Sequence, residues 1–235
     1  MSNTIIIKKR LKKFEKKIFV SGDKSISIRW VLLASLASGI SKAQNLLISE
    51  DVKASIKTIR KLGIKVIVNK KFCKIYGKGI DGYRYKKNLT LNAENSGTLG
   101  RLILGLLINT SKPMRLVGDK SLSTRDFKRI TDPLSKFGGM FKLKNKKNLP
   151  LTIYGSKNIK PISYIEQKGS AQCKSAVIFA GMRANGKTFI KAKKSRNHTE
   201  LMCEYLKLPI KVKNKVNYDL ITIETVSYTH LRAHE

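Results

Sequence analysis

Ser21-Gly22-Asp23-Lys24-Ser25-Ile26-Ser27-Ile28-Arg29 follows the apolar run Ile18-Phe19-Val20 and opens a second one, Trp30-Val31-Leu32-Leu33-Ala34-Ser35-Leu36-Ala37. Gly22 allows a tight turn and Asp23 is a good N-cap, so a helix is predicted to start here. A helix N-terminus offers unpaired N–H groups and a partial positive charge. Lys24, the Ser25 hydroxyl and, one turn on, Arg29 add donors on the same face. That is how a chain grips a phosphate or a carboxylate. The plainer alternative is a capped helix whose Lys and Arg are solvated. The stretch is not a Walker A loop, because Gly22 is followed by Asp23 rather than Lys and position 17 is Lys.

The same order of elements recurs twice. Short strands are expected at 4–7 and 18–20. The first apolar helix, 25–38, stops at Gly39 and leads to a strand over 43–49. Asp51 caps an amphipathic helix through Leu62, with Val52, Ile56, Ile59 and Leu62 at helical spacing, and a strand covers 64–68. Ser96-Gly97-Thr98 opens a second apolar helix, Leu102 to Asn109. A strand at 114–117 and an amphipathic helix at 130–137 follow. Ser170-Ala171-Gln172 opens the third apolar helix, Ser175 to Met182. Then come a strand at 188–190, an amphipathic helix at 199–206 and a strand at 210–212. The helix-opening serines, Ser25, Ser96 and Ser170, are 71 and 74 residues apart. That is too long for a solenoid repeat. It fits an α/β unit used three times. Helices apolar all round belong in a core. If the three are parallel, their N-termini meet at one mouth and form an anion site. If not, the serines are merely caps.

Lys and Arg number 49 against 15 Asp and Glu, a formal net charge of +34. Such a charge first suggests nucleic acid. Yet 38 of these residues are Lys spread along the whole chain, and aromatics are only 7%. Nucleic-acid readers more often concentrate Arg and add exposed aromatics. The excess therefore reads as solvated surface that steers anions. Only ten Arg lie outside the last ten residues, and Arg29, Arg101, Arg125 and Arg196 fall in or beside the helix starts. Their planar donor forks suit carboxylate and phosphate. Arg101, inside an apolar helix, also reads as a structural residue pairing with a neighbouring loop. Cys73, Cys173 and Cys203 are far apart, which argues against a disulfide framework or a zinc site and for an intracellular, cytoplasmic protein. No run approaches the roughly 18 apolar residues of a membrane span, and Met1 to Lys17 lacks a signal-peptide core. No metal and no cofactor are expected. His230 and His234 are not read as a metal pair, since residues 226–235 look foreign to the rest.

Five motifs carry a resemblance. They are the stretch Gly22 to Arg29, Asn95-Ser96-Gly97-Thr98-Leu99-Gly100-Arg101, Gly118-Asp119-Lys120-Ser121-Leu122-Ser123-Thr124-Arg125, Ser170-Ala171-Gln172-Cys173-Lys174-Ser175-Ala176 and Ser195-Arg196-Asn197-His198-Thr199-Glu200. In this order they resemble the signatures of the EPSP synthases, 3-phosphoshikimate 1-carboxyvinyltransferases, up to about residue 224. The resemblance implies an α/β enolpyruvyl-transferase-type domain of three repeated βαβ-type units around buried parallel helices. It also implies transfer of the enolpyruvyl group of phosphoenolpyruvate to the 5-hydroxyl of shikimate 3-phosphate, by addition and elimination without a metal, in aromatic amino-acid biosynthesis. Both substrates are polyanions, so clustered cations, desolvation and orientation suit the task.

Carried over by position, Lys24 is the catalytic candidate and touches both substrates. Ser25, Arg29, Ser170, Ala171, Gln172, Ser195 and Arg196 join it on shikimate 3-phosphate. Asn95, Gly97, Arg125 and Gln172 join it on phosphoenolpyruvate. Three positions depart from the family's usual pattern: Glu94 stands where Gly is common, Asp126 where Pro is, and Asn197 where Asp is. The family is about twice this length and has two similar domains. The expected division is therefore 1–19 as a strand region belonging to the other domain, 20–225 as the substrate-binding domain and 226–235 as a non-native tail, with the chain inactive alone. The expected partners are small anionic substrates, with no specific nucleic acid, no membrane and a monomeric full-length form. The alternatives are a UDP-N-acetylglucosamine enolpyruvyl transferase and a basic nucleic-acid-binding module. Lys-Asn where this chain has Lys24-Ser25, and a loop Cys that has no counterpart here, argue against the first.

Overall fold

All three apolar runs are helices, and each starts at a side-chain cap. A computed structural model describes residues 6, 8, 15 and 17–226. Of the expected strand at 4–7 only residue 6 is described, and the tail from 227 onward, with His230 and His234, lies outside the described residues. The first unit is α1 (Lys24–Leu36), β1 (Ser38–Gln44), α2 (Glu50–Lys61), β2 (Lys65–Val68) and β3 (Phe72–Lys78). The second is β4 (Leu89–Asn92), α3 (Gly97–Leu106), β5 (Met114–Val117), a short α4 (Lys120–Ser123), α5 (Lys128–Lys136), β6 (Met140–Lys144) and β7 (Asn148–Tyr154). The third is β8 (Ser163–Glu166), α6 (Ala171–Gly181), β9 (Thr188–Lys193), α7 (His198–Tyr205), β10 (Ile210–Asn214) and β11 (Tyr218–Ile223).

The second and third units share one topology. Their sheets run β4-β5-β7-β6 and β8-β9-β11-β10, with the first pair parallel and the rest antiparallel. The first unit has the last three strands only, as β1-β3-β2, all antiparallel. Its place for a leading strand falls at 18–20, and the strand expected there does not form. Ile18, Phe19 and Val20 are exposed. An apolar triplet becomes a strand only when it has a ladder to join, and among the described residues this one has no backbone partner, only the side chain of Asn45 donating to the Val20 carbonyl at 3.0 Å. The strand expected at 43–49 is displaced to 38–44, because Asn45 turns left-handed at φ 53° and ends it. Gly39, expected to follow the helix as its stop, lies within β1.

Helices α1, α3 and α6 form the core. Ile28, Val31, Leu32, Leu99, Leu102, Ile103, Val177 and Phe179 are fully buried. Each such aliphatic or aromatic side chain contributes about 1.5–3 kcal/mol by leaving water. Helices α3 and α6 touch closely: a Cβ on Gly105 would lie 2.2 Å from the Ala176 carbonyl oxygen. The three helices run the same way. At one pole Gln172 of α6 bonds Thr98 of α3, and Arg29 of α1 bonds Ser175 of α6. At the other pole one loop collects all three C-terminal ends. Asp81 accepts from Asn109 after α3 and from Arg183 after α6, and the Tyr83 hydroxyl meets Ser35 near the end of α1. The sheets and the amphipathic helices α2, α5 and α7 enclose this bundle, so the helix N-termini share one end of the molecule. Among the described residues no helix is long and apolar enough to cross a membrane.

Candidate active site

The caps at this pole are Asp23 for α1, Ser96 for α3 and Ser170 for α6. Each side-chain oxygen accepts a backbone N–H three residues on, at 2.7, 3.3 and 3.3 Å. Ser25 is thus the second residue of its helix, whereas Ser96 and Ser170 precede theirs. Glu166, buried, shapes the approach to α6 by accepting from the N–H groups of Lys168 and Ser170.

Around the start of α3 the phosphoenolpyruvate candidates come together. Arg125 donates to Asn95 Oδ1 at 3.1 Å and to Ser121 Oγ at 3.4 Å. Arg101 donates to Gln172 Oε1 at 2.6 Å, and Gln172 Nε2 donates to Thr98 Oγ1 at 3.1 Å. A Cβ on Gly97 would meet Arg101 Nη1 at 2.8 Å and Arg125 Nη1 at 3.0 Å, so both guanidinium groups lean over that glycine. Arg101 is 5% exposed, and its Nε has no hydrogen-bond partner. Burial first, and then the charges of Arg129 and Arg125, push its pKa down to about 10, which leaves it a cation at neutral pH. Its partner is a side chain from the next unit, rather than a loop.

The shikimate 3-phosphate candidates form a second group. Arg29 is only 3% exposed. It donates from Nε to Thr199 Oγ1 at 2.7 Å, from Nη1 to the Ser25 carbonyl at 3.0 Å and from Nη2 to Ser175 Oγ at 3.3 Å. Ser175 and Thr199 are themselves 2.7 Å apart. Burial lowers the Arg29 pKa, while the Glu200 charge opposes that shift. Ala171 and Gln172 form the first turn of α6. Ser195 and Arg196 lead into α7, the Ser195 hydroxyl buried without a partner and Arg196 exposed. Lys24 is half exposed and lies 3.3 Å from Asp51 in the first turn of α2. Helix α6 bridges the two groups, through Gln172 to one and Ser175 to the other.

The three departures have physical accounts. Glu94 sits left-handed at φ 52°, a conformation natural to glycine, and its carboxylate pairs with Lys57 at 2.9 Å. Asp126 Oδ1 accepts from the Lys128 N–H at 2.7 Å and starts α5. Asn197 holds the N-cap place of α7 with no side-chain cap bond. Sequence reasoning gave no role to Thr98, Ser175 and Thr199. The only signal was a hydroxyl at a position within or beside an apolar run.

This fold is that of the enolpyruvyl transferases. It superposes on the EPSP synthase of Acinetobacter baumannii with a TM-score of 0.84 and 31% identity, over 93% of this chain and 48% of that one. The enolpyruvyl transferase NikO of Streptomyces tendae shares the fold at a TM-score of 0.65 and 13% identity, over 91% of this chain and 49% of that one. In sequence the chain is 42% identical over 198 residues to the 3-phosphoshikimate 1-carboxyvinyltransferase of Streptococcus suis, covering 83% of this chain and 46% of the relative. It is 40% identical over 202 residues to that of Caldicellulosiruptor bescii, covering 85% and 46%. The family model described as EPSP synthase (3-phosphoshikimate 1-carboxyvinyltransferase) matches residues 8–231, and the chain belongs to that family. It spans about half the length of the curated relatives it matches.

Proposed function

We propose that residues 20–225 are the shikimate 3-phosphate-binding domain of an enzyme that transfers the enolpyruvyl group of phosphoenolpyruvate to the 5-hydroxyl of that substrate, releasing phosphate. One observation carries the reading: the N-termini of α1, α3 and α6 meet at a single pole, where Arg101 and Arg125 flank Gly97 and Arg101 is joined to Gln172. Helix N-termini and guanidinium forks both favour anions, and the proposed substrates are both polyanions. Lys24, Ser25, Ser170, Ala171, Gln172, Ser195 and Arg196 hold shikimate 3-phosphate. Asn95, Gly97, Arg125, Gln172 and Lys24 hold phosphoenolpyruvate. Arg29 acts from beneath by fixing α1 against α6 and α7.

The groups gathered here are cations, hydroxyls and amides. Addition and elimination also need a proton delivered to, and then taken from, the methylene carbon, and one removed from the attacking hydroxyl. Asp51 is paired with Lys24 and Glu94 with Lys57. We therefore assign binding to this chain and turnover to the chain joined with the remaining length of its relatives. The test is a fusion of residues 1–225 to the C-terminal half of the Streptococcus suis relative, assayed for phosphate release. Release that requires both phosphoenolpyruvate and shikimate 3-phosphate is expected, and 1–225 alone should give none. Release with a UDP-sugar in place of shikimate 3-phosphate would overturn the assignment.

A further inference from the structure

Behind the site lies an ion pair that the proposed chemistry does not use. Lys174 Nζ and Glu200 Oε1 are 2.5 Å apart, with side chains 0% and 2% exposed. Beyond each other, neither the ammonium nor either carboxylate oxygen has a hydrogen-bond partner among the described residues. Such a pair is a poor stabiliser. Two ions have left water, their remaining donors and acceptors are unsatisfied, and an apolar pair of the same volume would serve stability as well or better. What an ion pair does supply is register: an apolar contact can slide, whereas two charges at this separation cannot without large cost.

The register concerned is that of the site. Lys174 lies on α6, two residues after Gln172, and Glu200 lies on α7, four residues after Arg196. The next residue after Lys174 is Ser175 and the one before Glu200 is Thr199. These two hydroxyls are 2.7 Å apart, and both receive Arg29. The Glu200 charge also opposes the fall that burial imposes on the Arg29 pKa. We infer that Lys174 and Glu200 are positioning residues. They lock the first turn of α7 onto α6, so that Ser195–Arg196 and Ser170–Gln172 face one phosphate at a fixed separation, and they orient Arg29 between the two helices. The phosphate in question rests on the function proposed above, but the orientation of Arg29 does not.

The test uses the whole chain with two changes, the apolar double variant Lys174→Met/Glu200→Leu and the single variant Glu200→Gln, which keeps volume and an acceptor. Three quantities are read in each: melting temperature, hydrogen exchange of the Arg29 Nε–H by NMR without ligand, and Kd for shikimate 3-phosphate. The double variant should melt within about 3 °C of the parent or above it. In both variants Arg29 exchange should quicken and Kd should rise about ten-fold, a loss that a merely structural pair would not produce at unchanged stability. A folded double variant with parental Arg29 exchange would overturn the inference. So would loss of the fold in both variants, which would make the pair simply part of the core. If the parent itself does not bind shikimate 3-phosphate, the proposed function fails, and the Arg29 exchange still decides the positioning role.

Discussion

Arg29→Lys keeps the charge at the first helix start, and for a ligand arm in solvent it would be a mild change. The structure gives Arg29 a different part. It is 3% exposed, and its three donors go to Thr199, the Ser25 carbonyl and Ser175. A lysine ammonium on a flexible stem can replace one of these bonds but not the planar fork. Two buried bonds from a charged donor are then lost, each worth about 1.5–3 kcal/mol, for a total of about 3–6 kcal/mol. For a chain of this size each kcal/mol moves the midpoint by about 2–4 °C, so the melt should fall by about 10 °C. Calorimetry or circular dichroism at neutral pH reads it. Arg29→Met, which keeps the stem and removes the charge, should fall at least as far, because Glu200 then faces Lys174 alone. A variant that melts within about 2 °C of the parent would refute the reasoning and return Arg29 to the role of an exposed ligand arm.

Gly97→Ala places a methyl 2.8 Å from Arg101 Nη1 and 3.0 Å from Arg125 Nη1. The two side-chain ends yield, so the melt should hold within about 3 °C, helped by alanine's helix propensity. Phosphoenolpyruvate affinity, measured by calorimetry with shikimate 3-phosphate present, should drop about ten-fold; unchanged affinity would remove Gly97 from that pocket. Asn197→Asp puts a carboxylate at the uncapped start of α7. It should add about 0.5–1 kcal/mol above pH 5. An aspartate stabilised by a helix N-terminus has its folded pKa depressed below the ordinary value of about 4, so the gain should begin to fade there and vanish once pH drops below the folded pKa; a melt that rises on acidification would contradict it. Cys73, Cys173 and Cys203 are buried, and burial raises all three thiol pKa values, that of Cys73 to about 11. A colourless aromatic disulfide at pH 8 should therefore find no reactive thiol until denaturant is added, and one fast equivalent would show that a cysteine region opens.

The helical half of the fold was legible because apolar helices and amphipathic helices carry different periodicities, and each was closed by a glycine or opened by Asp or Ser. The strands were less so. Phe72-Cys73-Lys74-Ile75-Tyr76-Gly77-Lys78 pairs with strands on both sides, yet only Cys73 and Ile75 are deeply buried, and the run is too short and mixed to announce its alternation. Strands β7 and β11, each the second arm of a hairpin, carry a clean alternation, Leu149-Leu151-Ile153 and Asp219-Ile221-Ile223 facing inward, that the sequence reading passed over. Conversely, Ile18-Phe19-Val20 has strand composition and forms none, since pairing rather than composition makes a strand. At the site the residue types were readable, but their partners were not. Nothing local announces that Arg29 reaches Thr199, 170 residues away, or that Gln172 is shared between Arg101 and Thr98. Lys174 stands just before the apolar run read as the third helix and drew no reading from the sequence; only the fold pairs it with Glu200.

The convergent helix pole is tested most directly by titrating the chain with shikimate 3-phosphate against plain shikimate, by calorimetry and by fluorescence of Trp30. This is the sole tryptophan of the chain, and it follows Arg29 directly. The account expects saturable binding of the phosphate ester, a change at Trp30, weakening with salt, and no binding of shikimate itself. Equal binding of both compounds, or none of the ester by the folded chain, would contradict an anion site at this pole.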